Sequence, residues 1–322
     1  MSPSSETRSR LAHFPVALFA SVMGMAGLAM AWLKAGQLEQ VPGEIGAVLR
    51  ALASLLFIGL LLVYLLKWLR HPAAVTAERA HPLKQNFFAA ISISLVLLGT
   101  AWQHAAPELA RGLWASGAVL HLIVTLRVMS GWIHHTHFQI QHANPAWFIP
   151  VVGNIMVPVA GVSFAHTDIG WFFFSIGLVF WLVLMTIVLY RLFFHEPLPQ
   201  RLTPTLFILL APPSVGFLAW LALTDSLDAF ARLLYFTALF LALLLLSNAL
   251  RFFRVPFFIS AWAYSFPLAA LTLASFEMGL RSGIGIYTAL GGVLLALLSS
   301  VVCVLIVKTL QMALAGRICV AE

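Results

Sequence analysis

The segment GWIHHTHFQIQHANP brings four imidazoles, His134, His135, His137 and His142, close together in the chain. Histidine is a frequent ligand of zinc and related divalent ions, so metal binding is the first chemistry to weigh. No carboxylate or thiol joins the run, and it lies between two apolar stretches. An interfacial loop without a metal is therefore the expected reading. His121 sits deeper, inside an apolar stretch, where an imidazole needs a partner; Thr125, one turn later, is the candidate. No Asp, Glu, Lys or Arg occupies the middle of an apolar stretch. A proton-coupled carrier commonly relays through an intramembrane carboxylate, and none is available. An anion path here cannot rely on a mid-span cation either, which leaves the partial positive charge of kinked helices and helix ends. Nothing in the chain points to an enzyme, a cofactor or a metal site. Phe266 stands directly before Pro267 in AWAYSFPLAALTLAS. A phenyl ring beside a proline kink can close a narrow apolar pore by excluding water. An aromatic packed between helices would look the same in sequence, so both readings stay open at this point.

The elements that must position these residues follow from composition. Hydrophobic residues make up 61% of 322 positions and charged residues 9%, whereas a water-soluble domain carries roughly a quarter charged. Apolar runs such as LLFIGLLLVYLLKWL are continuous, unlike the alternating segments of about 10 residues in a β-barrel. The chain is expected to be an all-α integral membrane protein. Breaks of charge and turn residues mark ten spans, at 14–33, 46–68, 86–103, 109–129, 146–164, 169–193, 204–223, 229–252, 257–276 and 284–310. They define a transmembrane domain over 14–313 between a short N-terminus, 1–13, and a short C-terminus, 314–322. Thirteen of the eighteen basic residues fall on the side of the termini, leaving Lys34, Arg50, Arg111, Arg232 and Arg281 opposite. That excess marks the cytoplasmic face, so both ends are expected inside the cell (plasma or inner) membrane. The pI near 9.9 is explained by this topology and does not indicate nucleic acid. Residues 1–10 are polar and the run after them shows no clear cleavage site, so no cleavable signal peptide is expected. Cys303 and Cys319 are not placed to form a structural disulfide.

The spans alternate in kind. Even-numbered spans are smooth and mostly free of proline; odd-numbered spans carry proline, glycine and small polar residues, as in FPVALFASVMGMAG, NPAWFIPVVGNIMVPVAG and LLAPPSVGFLAW. This reads as a helical hairpin repeated five times. A proline within a helix leaves a carbonyl without its partner, which is costly against lipid. The odd spans, with Pro15, Pro158, Pro213 and Pro267 as expected kinks, therefore suit an inner ring around a pore, and the even spans an outer ring facing the bilayer. A compact bundle of ordinary kinked helices is the alternative.

In the segments FPVALFASVMGMAGLAMAW, HPLKQNFFAAISIS, NPAWFIPVVGNIMVP and WAYSFPLAALTLAS, spread in order along the chain, the sequence resembles the tellurite-resistance/dicarboxylate transporter family. That family includes bacterial TehA, fungal malate transporters and the slow-type anion channels of plant guard cells. The resemblance implies five hairpins in quasi-fivefold arrangement, assembled as a homotrimer with one pore per subunit. It implies a gating phenylalanine at Phe266, a second pore aromatic at Phe88, and a small residue facing the gate at Ala20. The third span lacks the family's central proline. The expected function is an anion channel passing chloride or nitrate through a pore occluded by Phe266. The alternative is a secondary transporter of C4-dicarboxylates such as malate, or of oxyanions such as tellurite.

Overall fold

The computed structural model describes residues 10–134 and 139–320. In chain order its principal apolar helices are α1 (Val16–Gln37), α2 (Gly43–Arg70), α3 (Lys84–Trp102), α4 (Pro107–His134), α5 (Pro145–Gly161), α6 (Thr167–Phe194), α7 (Gln200–Thr224), α8 (Ala229–Ser247), α9 (Ile259–Ser282) and α10 (Gly285–Leu314). Nine of these, among the described residues, are long and apolar enough to cross a membrane; α5 is shorter. The expected fifth span at 146–164 is thus the exception, and its residues explain why. Pro150 and Pro158 each remove a backbone donor, and the ladder changes pitch through a 3-10 turn at Gly153–Met156 between two short α segments. The eighth span also stops earlier than expected. Its helix ends at Ser247, Asn248 donates to the Leu244 carbonyl at 3.0 Å, and a separate turn follows at Ala249–Phe253.

The even helices α2, α4 and α6 each run 28 residues and α10 runs 30. At 1.5 Å per residue that is about 42 to 45 Å, longer than a hydrocarbon core of about 30 Å. Their interiors are leucine-rich and free of proline, so nothing interrupts the ladder. The odd helices are built differently: each opens with a 3-10 run, at Val16–Leu18, Lys84–Phe88, Pro145–Trp147, Gln200–Leu210 and Ile259–Tyr264. The prolines sit at these transitions. Pro15 precedes its 3-10 run as the N-cap, Pro213 and Pro267 lie in the first turn of the α segments that follow, and Pro158 lies in the first turn after the internal 3-10 turn Gly153–Met156. A proline is tolerated there because the first turn has few intrahelical donors to lose. Pro158, Pro213 and Pro267 mark where a tight helix becomes an α-helix rather than bending a continuous one.

Burial divides the two kinds. In the most apolar stretches of α1, α3, α7 and α9, 61 to 78% of residues are buried, against 17 to 33% in α2, α4, α6, α8 and α10. Helix α1 packs against α3 and α9, α3 against α5, α5 against α7, and α7 against α9. Each even helix packs on the odd helix before it and touches the next odd one: α2 on α1 and α3, α4 on α3 and α5, α6 on α5 and α7, α8 on α7 and α9, α10 on α9 and α1. Small residues allow the closest approaches. A Cβ on Gly24 would lie 2.1 Å from Ser265 Oγ, and one on Gly27 would lie 2.8 Å from Ala269 Cβ, so the α1–α9 seam depends on both glycines.

At the end where the odd helices begin, the short helix Pro72–Ala80 folds under α1. Glu78 on it accepts from the Val16 N–H (2.9 Å), the Tyr64 hydroxyl (2.8 Å) and Lys67 Nζ (2.6 Å). Lys67 also donates to the Phe14 carbonyl at 2.7 Å. One buried carboxylate thereby joins a loop, an even helix and the first free N–H of an odd helix.

Candidate functional site: a vestibule ending on Phe266

A cavity of about 380 Å³ opens at the end of the molecule opposite the Lys67–Glu78 pair. All five odd helices line it: Met30, Leu33, Lys34 and Gln37 from α1; Leu97, Thr100 and Ala101 from α3; Met156 and Val159 from α5; Val215, Leu218, Leu221 and Ala222 from α7; and Phe266, Ala270, Leu273, Glu277 and Arg281 from α9. Gln103 and His104, just beyond α3, stand at the rim, and Arg50 of α2 joins from outside the odd set. Along α9 the lining runs from Arg281 at the mouth to Phe266 at the deepest position. That is 15 residues of helix, about 22 Å. Polar and charged groups crowd the mouth, and Leu273, Ala270, Leu97 and Met156 make the deeper wall apolar.

Phe266 is 8% exposed and sits two residues into the α segment that follows the 3-10 run Ile259–Tyr264. Across from it is Gly27, where a Cβ would stand 3.5 Å from Phe266 Cδ2. Ala20, the residue expected opposite the gate, lies two turns nearer the start of α1, half-buried and outside the cavity lining. Phe88 is also outside the lining; its half-buried ring meets Tyr64 of α2 edge-on at 6.0 Å, with the Arg79 guanidinium 5.4 Å from its centroid. The structure thus brings Phe266 to the cavity and leaves Ala20 and Phe88 away from it. Gly27, which the sequence reading passed over, belongs to the SVMGMAG run, and its three-residue spacing from Gly24 was the available signal.

The charges at the mouth are unequal in their freedom. Lys34 pairs with Glu277, and Arg281 pairs with Asp225 at 2.5 Å while its Nε lies 3.8 Å from Glu277. Asp225 adopts a left-handed backbone, φ 52°, at the C-terminus of α7, and Arg281 donates to its carbonyl at 3.2 Å. Arg50 has no such carboxylate among the described residues. Its guanidinium lies 4.0 Å from the Trp102 ring centroid, Nη1 donates to the Ala101 carbonyl at 3.3 Å, and Nε is buried with no acceptor. Three cations and one carboxylate therefore line this cavity, giving it a net positive field.

The imidazoles do other work. His121 Nδ1 meets the Ser92 hydroxyl at 2.9 Å, so its side-chain partner is Ser92 of α3 and not Thr125. Thr125 lies near two carbonyls, those of His121 and Pro150, at 2.8 and 2.6 Å, and accepts from Asn154 at 2.9 Å. This buried cluster ties α4 to the broken part of α5. Of the histidine run, His134 Nδ1 contacts the Ser130 carbonyl and His142 Nδ1 accepts from the Gln139 N–H. His135 and His137 lie outside the described residues. Among the described residues no three His, Cys, Asp or Glu side chains gather as a metal site would require.

Comparison with known proteins places the chain in a family. The family described as "Voltage-dependent anion channel", SLAC1, matches residues 13–310. The S-type anion channel SLAH2 of Arabidopsis thaliana is 30% identical over 282 residues, which cover 85% of this chain and 54% of the plant protein. A tellurite resistance protein TehA homolog of Haemophilus influenzae is 28% identical over 263 residues, 80% of this chain and 79% of the bacterial protein. The uncharacterized transporter MJ0762 of Methanocaldococcus jannaschii is 27% identical over 285 residues, covering 81% and 83%. The chain spans about half the length of the plant relatives it matches. It belongs to the SLAC1/TehA family of helical membrane anion channels and transporters.

Proposed function

We propose that the chain forms an anion channel in which chloride, nitrate and similar small monovalent anions pass along the axis of the five odd helices, with Phe266 as the closure. The observation that carries this reading is the cavity that all five odd helices line and that ends on the Phe266 ring. A net positive mouth draws anions in, and the apolar throat below it supplies no tight site, so an anion that enters is free to leave. The phenyl ring blocks passage by leaving no room for a hydrated ion.

The architecture that goes with this function is ten spans as five hairpins, α5 being the broken member, with odd helices inside and even helices outside. The closed packing order of the odd helices and the burial split support it. Exposed leucines, isoleucines and valines on α2, α4 and α10 supply the lipid face and the contacts between subunits of a homotrimer. The basic end, with both termini, is cytoplasmic in the plasma or inner membrane, and the vestibule opens on the other side.

The test is current recording with anion substitution on wild type and Phe266→Ala in a bilayer or oocytes. Each 1.4 kcal/mol that the ring contributes to the barrier is worth about tenfold in current, so the variant is expected to conduct at least about tenfold more. An unchanged current in a well-expressed variant overturns the closure. The second reading is a carrier of C4-dicarboxylates or tellurite; the relatives named as transporters and for tellurite resistance favour it. Saturable counterflow without ohmic current would decide for it.

A further inference from the structure

We infer that Arg50 is the group in the vestibule that holds a permeating anion, a partly dehydrated halide or nitrate. The inference rests on reading the cavity as an anion path. Of the three cations lining the cavity, Lys34 and Arg281 are engaged by Glu277 and Asp225. Arg50 alone has no carboxylate partner among the described residues, and of its nitrogens only Nη1 finds a protein acceptor.

Its setting fits an anion better than it fits a structural cap. The indole of Trp102 lies 4.0 Å below the guanidinium, fixing the plane of the fork. That indole is held in turn, because Trp102 Nε1 donates to Ser54 Oγ at 2.9 Å one turn along α2 from Arg50. A guanidinium held flat against a ring loses little further entropy when an anion arrives, and it is weakly hydrated, so it suits an anion that has shed part of its water. The bond to the Ala101 carbonyl caps the end of α3 and uses one donor. It leaves Nη2 without a protein acceptor, a donor that an anion can take. A planar oxyanion can take two parallel donors from such a fork where a halide takes only a shared contact. The site therefore ranks nitrate above chloride. One cation, the other two in the lining being paired with carboxylates, makes a shallow well, as conduction requires.

Two measurements test this. The first is bromide anomalous scattering from crystals of wild type and Arg50→Gln. A bromide peak on the Arg50 guanidinium that disappears in the variant is expected; an empty wild-type position overturns the site. The second is chloride current in a Phe266→Ala background with Arg50 intact, Arg50→Lys or Arg50→Gln. The glutamine variant is expected to carry about three- to tenfold less current at about 10 mM salt and to converge on its parent near 1 M, because a local field is screened there. Arg50→Lys is expected to keep most of the low-salt current and lose the nitrate preference. A loss equal at every salt concentration, or none, overturns the role, since a mere helix cap has no such salt dependence. Should Phe266→Ala carry no current while bromide still occupies Arg50, the channel reading falls and the anion site stands.

Discussion

The two ends of the buried helices carry similar ion pairs in opposite settings. At the vestibule, Lys34 and Glu277 are 18% and 22% exposed and Asp225 is 87% exposed. At the basic end, Lys67 and Glu78 are 3% and 8% exposed and are held by Tyr64, the Val16 N–H and the Phe14 carbonyl. Aromatic rings close around that pair, with Phe19, Tyr64 and Phe88 meeting edge-on at 6.0 to 6.1 Å. The same chemistry therefore serves two ends differently. Buried and saturated, a lysine and a glutamate fix the start of α1; partly exposed, they leave their charge facing the cavity, where the proposed anion path begins. Charge that is fully committed to protein partners is lost to an anion, and in the vestibule Arg50 has no carboxylate partner among the described residues.

The comparison can be broken most forcefully at the buried pair. Glu78→Ala strands a buried ammonium and the first N–H of α1, and such a loss costs about 3 to 5 kcal/mol. Thermal unfolding of the purified protein in detergent is expected to show a large drop, with Glu78→Gln less severe because its amide oxygen still accepts from Val16. An unchanged midpoint would put the two ends on the same footing. Between the ends, Gly27→Ala places a methyl 2.8 Å from Ala269 Cβ. Overpacking of this kind costs about 1 to 3 kcal/mol, and because the new methyl meets the Phe266 ring, altered current should accompany the lowered midpoint. A midpoint shift with identical currents would separate the α1–α9 seam from the closure. The smallest effect is expected at the mouth. Glu277→Gln removes the charge of a partly exposed partner but keeps an acceptor beside Lys34, a change worth about 1 kcal/mol, so the midpoint should move little while low-salt anion current rises. A change in stability as large as that of Glu78→Ala would erase the distinction.

The broad plan was legible because it depends on residue type. Proline, glycine and serine in FPVALFASVMGMAG and LLAPPSVGFLAW mark the helices that turn out buried, and leucine runs mark the exposed ones. The fifth element was legible as a proline-rich segment, though its shortness came from two prolines acting with Gly153. Phe266 stood out because Pro267 follows it and because the family resemblance implies a gating phenylalanine there; that Pro267 lies at the start of an α segment and not at a mid-span kink came from the structure. Partners across helices were not legible. Ser92 lies 29 positions from His121, and nothing in either segment announces the contact. Arg50 reads as a residue near the end of a greasy helix; that its long side chain reaches Trp102 and the cavity depends on how α2 is rotated against α3. The choice of Gly27 over Ala20 as the neighbour of Phe266 is a matter of register between α1 and α9, set by packing and not by local sequence.

The 3-10 runs that open the odd helices are a reserve of length and twist. A 3-10 turn advances about 2.0 Å and 120° per residue, an α-helix about 1.5 Å and 100°. If the six residues Ile259–Tyr264 relaxed into α geometry, the chain beyond them would draw in by about 3 Å and swing by about 120° relative to its start. Phe266 rides directly on that junction. Its ring could leave the axis by a change of pitch in one short stretch, with no helix sliding past another, and paired spin labels flanking that stretch would register the shortening.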